Sequence, residues 1–528
     1  MKLPISKSAR TVWSRRIKEF WFEYSHNRIG LVGLLLLFFF IGVAIFSPFI
    51  APYDAKTVRL ESPRQADYYA VPGWLGVIVP QLADLPPQTV YPLDWTVASE
   101  EFPQSVEFKE TNSSVIFYYN ASKTGSREPV TLFLNSSFTY SYLPMRLFSF
   151  EFGWSGRPDE TVAVYKDTPW GTWKVGETGS LNYMLQLELI TPNGTSYTVW
   201  DQNWDKYKSL NASAAFWSSN STGKVHMYSD LGPLAVKLGY GFGESRFMVR
   251  DIFDSKGLFE LRIAVTLKPG EIEGVEVALE NATGSVSVSA GRFIVWGRRW
   301  GILGTDGYGH DVYSQLIYGA RISILIGVSA AFTSTLIGLL VGITAGYSGG
   351  GIDEGLMRVV DVLLCLPVLP MLLVFIALFG YNTWYIVLII AIFGWQGLSR
   401  IIRSETLSVR EAAFVESSIA SGGSRGYIIL RHIMPNVLPT ALASLVLAVP
   451  GAVILEAALS FIGLGDPHAP TWGKMLYHAQ ISGAFSPMHM AWWDVIPPGL
   501  AITFLCLAFV FIGHAIDEIV NPRLRRRR

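Results

Sequence analysis

The sequence predicts a mainly α polytopic membrane protein of six transmembrane helices carrying one inserted β-rich domain, and three observations predict it. Six apolar runs stand at or near the length that crosses a bilayer, about 20 residues of helix. Between the first and second lie roughly 250 residues whose apolar positions alternate with period two, as half-buried strands do. Between the fourth and fifth lies a charged, glycine-broken segment, Arg403 to Asn436, which lipid cannot solvate and which must sit at a membrane surface.

Composition agrees with that mixture. Of 528 residues half are hydrophobic, yet 16% are charged, too apolar for an ordinary soluble enzyme and too polar for a chain that only spans the bilayer. The net charge of zero supplies no basic field for nucleic acid. Cys365 and Cys506 sit inside apolar runs without metal-ligand spacing and read as inert, buried thiols.

The candidate spans are Ile29 to Ile50, Ile322 to Gly346, Leu356 to Gly380, Trp384 to Ser399 (extending to about Arg403), Val437 to Gly463 and Val495 to His514. Six spans put both termini on one side. Lys2, Lys7, Arg10, Arg15, Arg16 and Lys18 precede the first span, and Arg523 and Arg525 to Arg528 follow the last, so both ends are expected in the cytoplasm. The loop from Ser408 to Pro435, with Arg410, Arg425 and Arg431, then falls there too. The first run is too long for a signal-peptide core and reads as a retained anchor.

Within the long outer segment, Tyr183, Leu185, Leu187 and Leu189 alternate with Met184, Gln186 and Glu188. A Thr191-Pro192-Asn193-Gly194 turn leads into Tyr197 and Val199, which predicts a hairpin. Val275, Val277 and Leu279 alternate as well, and Asn281 to Gly284 turns into Val286 and Val288, together suggesting a β-sandwich. Seven of the nine asparagines there begin an Asn-x-Ser/Thr sequon: Asn112, Asn120, Asn135, Asn193, Asn211, Asn220 and Asn281. None of the four asparagines elsewhere does, which points to a glycosylated outer surface in an archaeal cell envelope. Ten of the seventeen tryptophans lie in this segment, including Trp170, Trp173, Trp200, Trp204 and Trp217; filling a β core or resting at the membrane interface outweighs stacking on sugars as their role.

In the cytoplasmic loop, Ser408 and Glu411 have capping-box spacing, predicting a helix from about Val409 to Ser421. Gly422 and Gly423 end it, and Ser424 can cap a second short helix that stops near Pro435. Small residues, Ala412, Ala413, Ser417, Ser418 and Ala420, suit the first helix to a deep groove in another protein. A plain solvated connector would need neither its length nor its glycine joint.

This loop resembles the EAA loop of importer-type ATP-binding-cassette permeases, whose pattern is Glu-Ala-Ala, three residues, then Gly. Glu416 is the motif acid in the register that places Gly422 correctly, with Ser417 and Ser418 for the two alanines, and Arg431 to Pro435 and Asn436 match the family's ending. Glu411 is left as the helix cap. Leu303-Gly304-Thr305-Asp306 followed by Gly309-His310-Asp311 is similar to the signature ahead of the second span in the second permease subunit of peptide/nickel systems. His310 stands where that family has Arg, a titrating group for a permanent cation. Further segments in family order are Tyr318 to Ser323, Met357 to Val362, Leu459 to Gly465, Thr471 to Leu476, Pro498 to Ala501 and Asp517 to Arg525. Residues 51 to 295 lie outside the resemblance.

The resemblance implies a type I importer fold and a transport subunit with no catalytic site, moving dipeptides or oligopeptides by alternating access. Its partners would be a second permease subunit, two ATPase subunits that carry ATP and magnesium, an extracytoplasmic substrate-binding protein and membrane lipid, without nucleic acid. Oligosaccharides are the alternative cargo, and a non-transporting surface glycoprotein receptor is the remoter reading. No glycine loop ending in Lys-Ser/Thr is present to hold ATP in this chain. The expected organisation is a cytoplasmic segment 1–28, a first transmembrane helix 29–50, an extracytoplasmic β-rich insertion 51–300, a permease domain 301–520 with its loop at 408–435, and a basic cytoplasmic tail 521–528. Gly338, Gly342 and Gly346 form a small-residue face for helix packing, while Asp361 and Glu456 are ionisable groups near or within apolar segments.

Overall fold

The computed structural model describes residues 18, 20–53, 64–83, 85–98, 102–111, 113–142, 147–168, 171–202, 221–229, 232–240, 245–272, 275–485 and 491–520. Asn112, Asn211, Asn220, Trp170, Trp204, Trp217 and both basic terminal segments save Lys18 lie outside the described residues. The chain divides into two compact units, Ala70–Trp300 and the remainder.

The first unit is a β-sandwich. One sheet has five strands in the order Ser196–Asp201, Leu181–Ile190, Gly257–Pro269, Val130–Tyr140 and Thr96–Val97; the other has seven. Alternation decides which side chains meet: Tyr183, Leu185, Leu187 and Leu189 are all fully buried, while Met184, Gln186 and Glu188 between them are half-buried. They share one core with Phe117, Phe148, Phe150, Phe152 and Phe293 of the opposite sheet. Trp95, Trp200 and Trp296 are buried at 6–7% exposure, so these three fill the core rather than present a stacking platform. The hairpin at Thr191 forms as expected. The second alternating run does not continue as a strand: only Val275–Glu276 pairs, and Leu279–Asn281 is a 3₁₀ turn before Thr283–Ser289.

The second unit is helical. In chain order it contains α1 (Arg28–Ile50), α2 (Val312–Ser348), α3 (Gly350–Cys365), α4 (Val368–Phe379), α5 (Thr383–Ile392), α6 (Gln396–Arg410), α7 (Ala413–Ala420), α8 (Arg425–Phe461), α9 (Trp472–Ile481) and α10 (Trp492–Val520). Four of them, α1, α2, α8 and α10, are long and apolar enough to cross a membrane alone. The third and fourth expected spans are instead bent pairs, by 92° between α3 and α4 and by 45° between α5 and α6. Pro367 explains the sharper break, because proline disfavours the helical conformation of the residue before it, and Leu366 is extended at ψ 134°.

Glycines set the packing of the spans. A Cβ on Gly338, Gly342 or Gly346 of α2 would lie 2.9, 2.7 or 2.8 Å from the carbonyl oxygens of Trp395, Ser399 and Arg403, so the small-residue stripe brings α2 against α6 backbone to backbone. Gly33 of α1 meets the Ala508 carbonyl of α10 in the same way, and Gly30 makes room for the Ala515 methyl group. Glu456 is buried within α8, accepting a 2.7 Å hydrogen bond from Ser460 Oγ. Cys365 is exposed, contrary to the expectation of two buried thiols, because it closes α3 just ahead of the break; Cys506 is half-buried.

Candidate functional site

The polar segment between α6 and α8 is built differently from the capping-box expectation. Helix α6 runs through Ser408 to Arg410 without interruption, so Ser408 is interior and Glu411 is the C-terminal cap at φ −84°, ψ 3°. A serine starts a helix only where the residues before it leave helical geometry, and here they do not. Helix α7 starts five residues beyond Ser408, behind Ala412, whose extended backbone at ψ 141° makes the corner.

The end of α7 follows the expectation. Gly422 has φ +81° and its N–H donates to Ile419 O at 2.9 Å, while Gly423 N–H donates to Ser418 O at 3.0 Å. This pair of bonds is a Schellman closure, which requires the left-handed residue that glycine supplies. Ser424 then caps the next turn, accepting from Tyr427 N–H at 3.4 Å. Residues Ile429–Ile433 form a π-turn, with Arg431 exposed on it, so the connection from Ser424 into α8 is one continuous helix rather than a short helix that stops at Pro435. Pro435, exposed just beyond, has no N–H to offer the helical ladder, and Asn436 Nδ2 donates to the nearby His432 carbonyl at 2.6 Å.

Helix α7 is a peg on one anchor. Val415 is fully buried among Ile402 of α6, Ile343 of α2 and Ile428, Ile433 and Val437 of α8. Glu416 and Ser417 are exposed, Ser418 is half-buried, and Phe414 and Ile419 are about half exposed on the same short helix. Tyr427 and Leu430 add further exposed apolar surface. The stem α6 is fastened to α3 by two ion pairs, Arg403 with Asp353 and Arg400 with Asp361. Asp361 therefore pairs across to α6, while Arg358 faces Glu354 at 3.6 Å.

The second group of candidate residues knots the chain ahead of α2. Gly304 and Gly309 have φ +68° and +82°, and Asp306 Oδ1 accepts from the N–H groups of Tyr308 and His310, both at 2.9 Å. Asp306 Oδ2 accepts from Gln315 Nε2 at 2.8 Å and lies 3.7 Å from His310 Nδ1. Burial pushes the Asp306 carboxyl up, but His310 and Gln315 outweigh it and hold the group below the usual carboxylate range. Thr305 Oγ1 donates to Asp67 O at 2.6 Å, and Asp311 caps α2 by accepting from Ser314 N–H at 2.7 Å. These five residues thus shape and cap the loop.

Around that knot stand two groups the sequence reading did not single out. Asp494, at the start of α10, is 2% exposed with Oδ2 unbonded among the described residues, and His478 of α9 has its Nδ1 likewise unbonded. Burial first, then the nearby Lys474 charge, depresses His478 to about 4. An acid directly ahead of an apolar run was the available signal for Asp494. The four described sequons fall in unlike settings: Asn193 and Asn281 are exposed, whereas Asn120 and Asn135 are half-buried. Asn120 accepts from Ser122 Oγ at 2.6 Å, and Asn135 accepts from Arg262 Nε at 3.3 Å. Among the described residues no cluster of His, Cys, Asp and Glu could hold a metal ion.

Comparison with known proteins covers the helical unit. Residues 338–526 match the family of binding-protein-dependent transport system inner membrane components, and residues 16–70 match the N-terminal transmembrane domain of oligopeptide transport permease C. A putative peptide permease protein of Brucella suis is 38% identical over 221 residues, 42% of this chain and 72% of that protein. The oligopeptide transport system permease protein OppC of Haemophilus influenzae is 36% identical over 223 residues, covering 42% and 70%. The dipeptide transport system permease protein DppC of Bacillus subtilis is 35% identical over 225 residues, covering 42% and 69%.

Proposed function

This chain belongs to the family of binding-protein-dependent transport system inner membrane components, and on that premise we propose that it is the second-type permease subunit of an ATP-driven importer of dipeptides or oligopeptides. The observation that carries this reading is the coincidence of sequence match and geometry: the matched region 338–526 contains a short helix, anchored by Val415 and closed at Gly422, that projects polar and apolar side chains from the bundle. The cargo class comes from the names of the relatives, which are peptide, oligopeptide and dipeptide permeases.

In the mechanism, α7 enters a cleft of a separate ATPase subunit with Glu416 and Ser417 against the partner. Ser418 and Gly422 keep the short helix closed, and Arg431 and Pro435 shape its return to the membrane. Closure of two such ATPases around ATP and magnesium displaces α7, and the rigid connection through α6 to α2 and α3 passes that displacement to the spans. This chain supplies no catalytic group. A second permease completes the path, and an extracytoplasmic binding protein delivers the peptide. Both termini and the segment 408–435 lie in the cytoplasm, and the β-rich unit lies outside, where it docks the binding protein.

Three measurements test this. Glu416→Ala and Gly422→Pro abolish uptake of a radiolabelled tripeptide in cells while the chain stays at its normal level in the membrane fraction; normal uptake with normal co-purification of the ATPases overturns the coupling role. A ligand screen on the purified binding protein decides cargo, and binding of oligosaccharides in place of peptides overturns that part. Deleting residues 60–290 lowers binding-protein affinity, and unchanged affinity removes the docking role.

A further inference from the structure

We propose that this chain carries N-linked glycan at Asn193 and Asn281 and leaves Asn135 bare, because the fold puts equivalent sequons into different backbone geometries. The proposal rests on the outside placement of the β-rich unit. Asn193 sits in the tight turn between Leu181–Ile190 and Ser196–Asp201, with Gly194 at φ +81° and its N–H donating to Thr191 O at 2.9 Å. Asn281 ends the 3₁₀ turn ahead of Thr283–Ser289. Both are exposed, and neither side-chain amide bonds to another group among the described residues. A turn can bring the hydroxyl two residues on, Thr195 or Thr283, back toward the asparagine amide; Asn120 illustrates the effect, its Oδ1 accepting from Ser122 Oγ at 2.6 Å.

Asn135 has neither property. It lies inside Val130–Tyr140, paired on one side with Arg262 and on the other with Thr96. An extended strand separates the amide of Asn135 from the hydroxyl of Ser137 by about 7 Å, two residues of rise. Oδ1 already accepts from Arg262 Nε at 3.3 Å, and Thr96 Oγ1 donates to the Asn135 carbonyl at 3.1 Å, so bending the sequon into a transferase would break paired backbone on both flanks.

The sugar donor is a polyprenyl phosphate- or pyrophosphate-linked oligosaccharide. Asparagine Nδ2 attacks its anomeric carbon, the bond from that carbon to the phosphate oxygen breaks with the electron pair leaving on the phosphate, the carbon–nitrogen bond forms, and one amide proton passes to a base. The test is glycopeptide mass spectrometry on the full chain from its own host's membranes. Expected are glycan on the Asn193 and Asn281 peptides, none on the Asn135 peptide, and loss of one glycan mass in each of Asn193→Gln and Asn281→Gln. A bare Asn193 or Asn281, or a glycan on Asn135, overturns the proposal. Labelling of Ser126→Cys, in a Cys365→Ser, Cys506→Ser background, by a membrane-impermeant maleimide on intact cells separates the two readings. Labelled chain with bare sequons overturns this proposal alone; unlabelled chain overturns the outside placement and this proposal with it.

Discussion

Arg403 grips Asp353 with two hydrogen bonds, Nε to Oδ1 at 2.5 Å and Nη2 to Oδ2 at 2.6 Å, tying the stem helix α6 to α3. The pair is fork to fork, a geometry that lysine cannot reproduce. At the same residue, Gly346 lets α2 approach the Arg403 carbonyl itself. Charge and close packing therefore hold α6 on two neighbours at one level, immediately above the segment that carries α7.

Arg403→Lys keeps the charge but loses one of the two bonds. Stability falls by about 1 kcal/mol, discounted for the partial exposure of the pair, and uptake falls several-fold at unchanged membrane level. The swapped pair Asp353→Arg with Arg403→Asp recovers part of the uptake. A swap no better than either single change, measured as initial uptake rate, would show that the two residues act separately.

Val415→Ala removes two buried methyl-sized groups from the only fully buried position of α7, costing about 2 kcal/mol locally. Faster amide exchange is expected in 413–421, with the spans unaffected, by hydrogen-exchange mass spectrometry. Uniform exchange across the helical unit would contradict a local anchor.

Gly422→Ala places a side chain at φ +81°, where an L-residue pays about 1 kcal/mol or slightly more. Nothing lies within 4 Å of the added Cβ, so the effect is conformational and not a clash. Partial uptake is expected for Ala and none for Pro. Gly423→Ala behaves differently, since its Cβ would meet Ser418 O at 2.9 Å.

Acid should remove the stability that His478 and Asp306 contribute around the loop ahead of α2. His478 sits at about 4 against an ordinary 6.5, so between those values the unfolded chain binds a proton that the folded chain refuses, and stability falls as pH drops through that window. The upper bound is about 3 kcal/mol. Asp306 acts in the same direction at lower pH: its carboxyl is held below 3.8, so its contribution is present above that value and is lost below it. Thermal melts of the purified chain at pH 3 to 7 read this out. His478→Gln flattens the curve between 6.5 and 4; an unchanged curve assigns the loss to other groups.

Much of this architecture was legible because membranes and strands impose simple periods. The alternation at Tyr183 to Leu189 and the turn at Thr191 emerged as a hairpin, and α1, α2, α8 and α10 lie where the apolar runs place them. The capping box at Ser408 failed because spacing alone cannot tell whether the preceding residues have already entered a helix, and here α6 carries its turns through them. The two breaks within expected spans were half visible: Pro367 is a local signal, whereas the bend at Gly394 depends on what packs around it.

The order of apolar runs, the strand periodicity, the glycine joint at Gly422 and the family signature are properties of the chain itself, because each acts over a few residues or matches a local pattern. Which partner Asp361 takes, how Val415 roots α7, where Asp306, His478 and Asp494 gather, and which sequon lies in a turn were decided only by tertiary structure. Those relations join residues tens to hundreds of positions apart, and burial, which sets their energies, does not exist until the helices and sheets have packed.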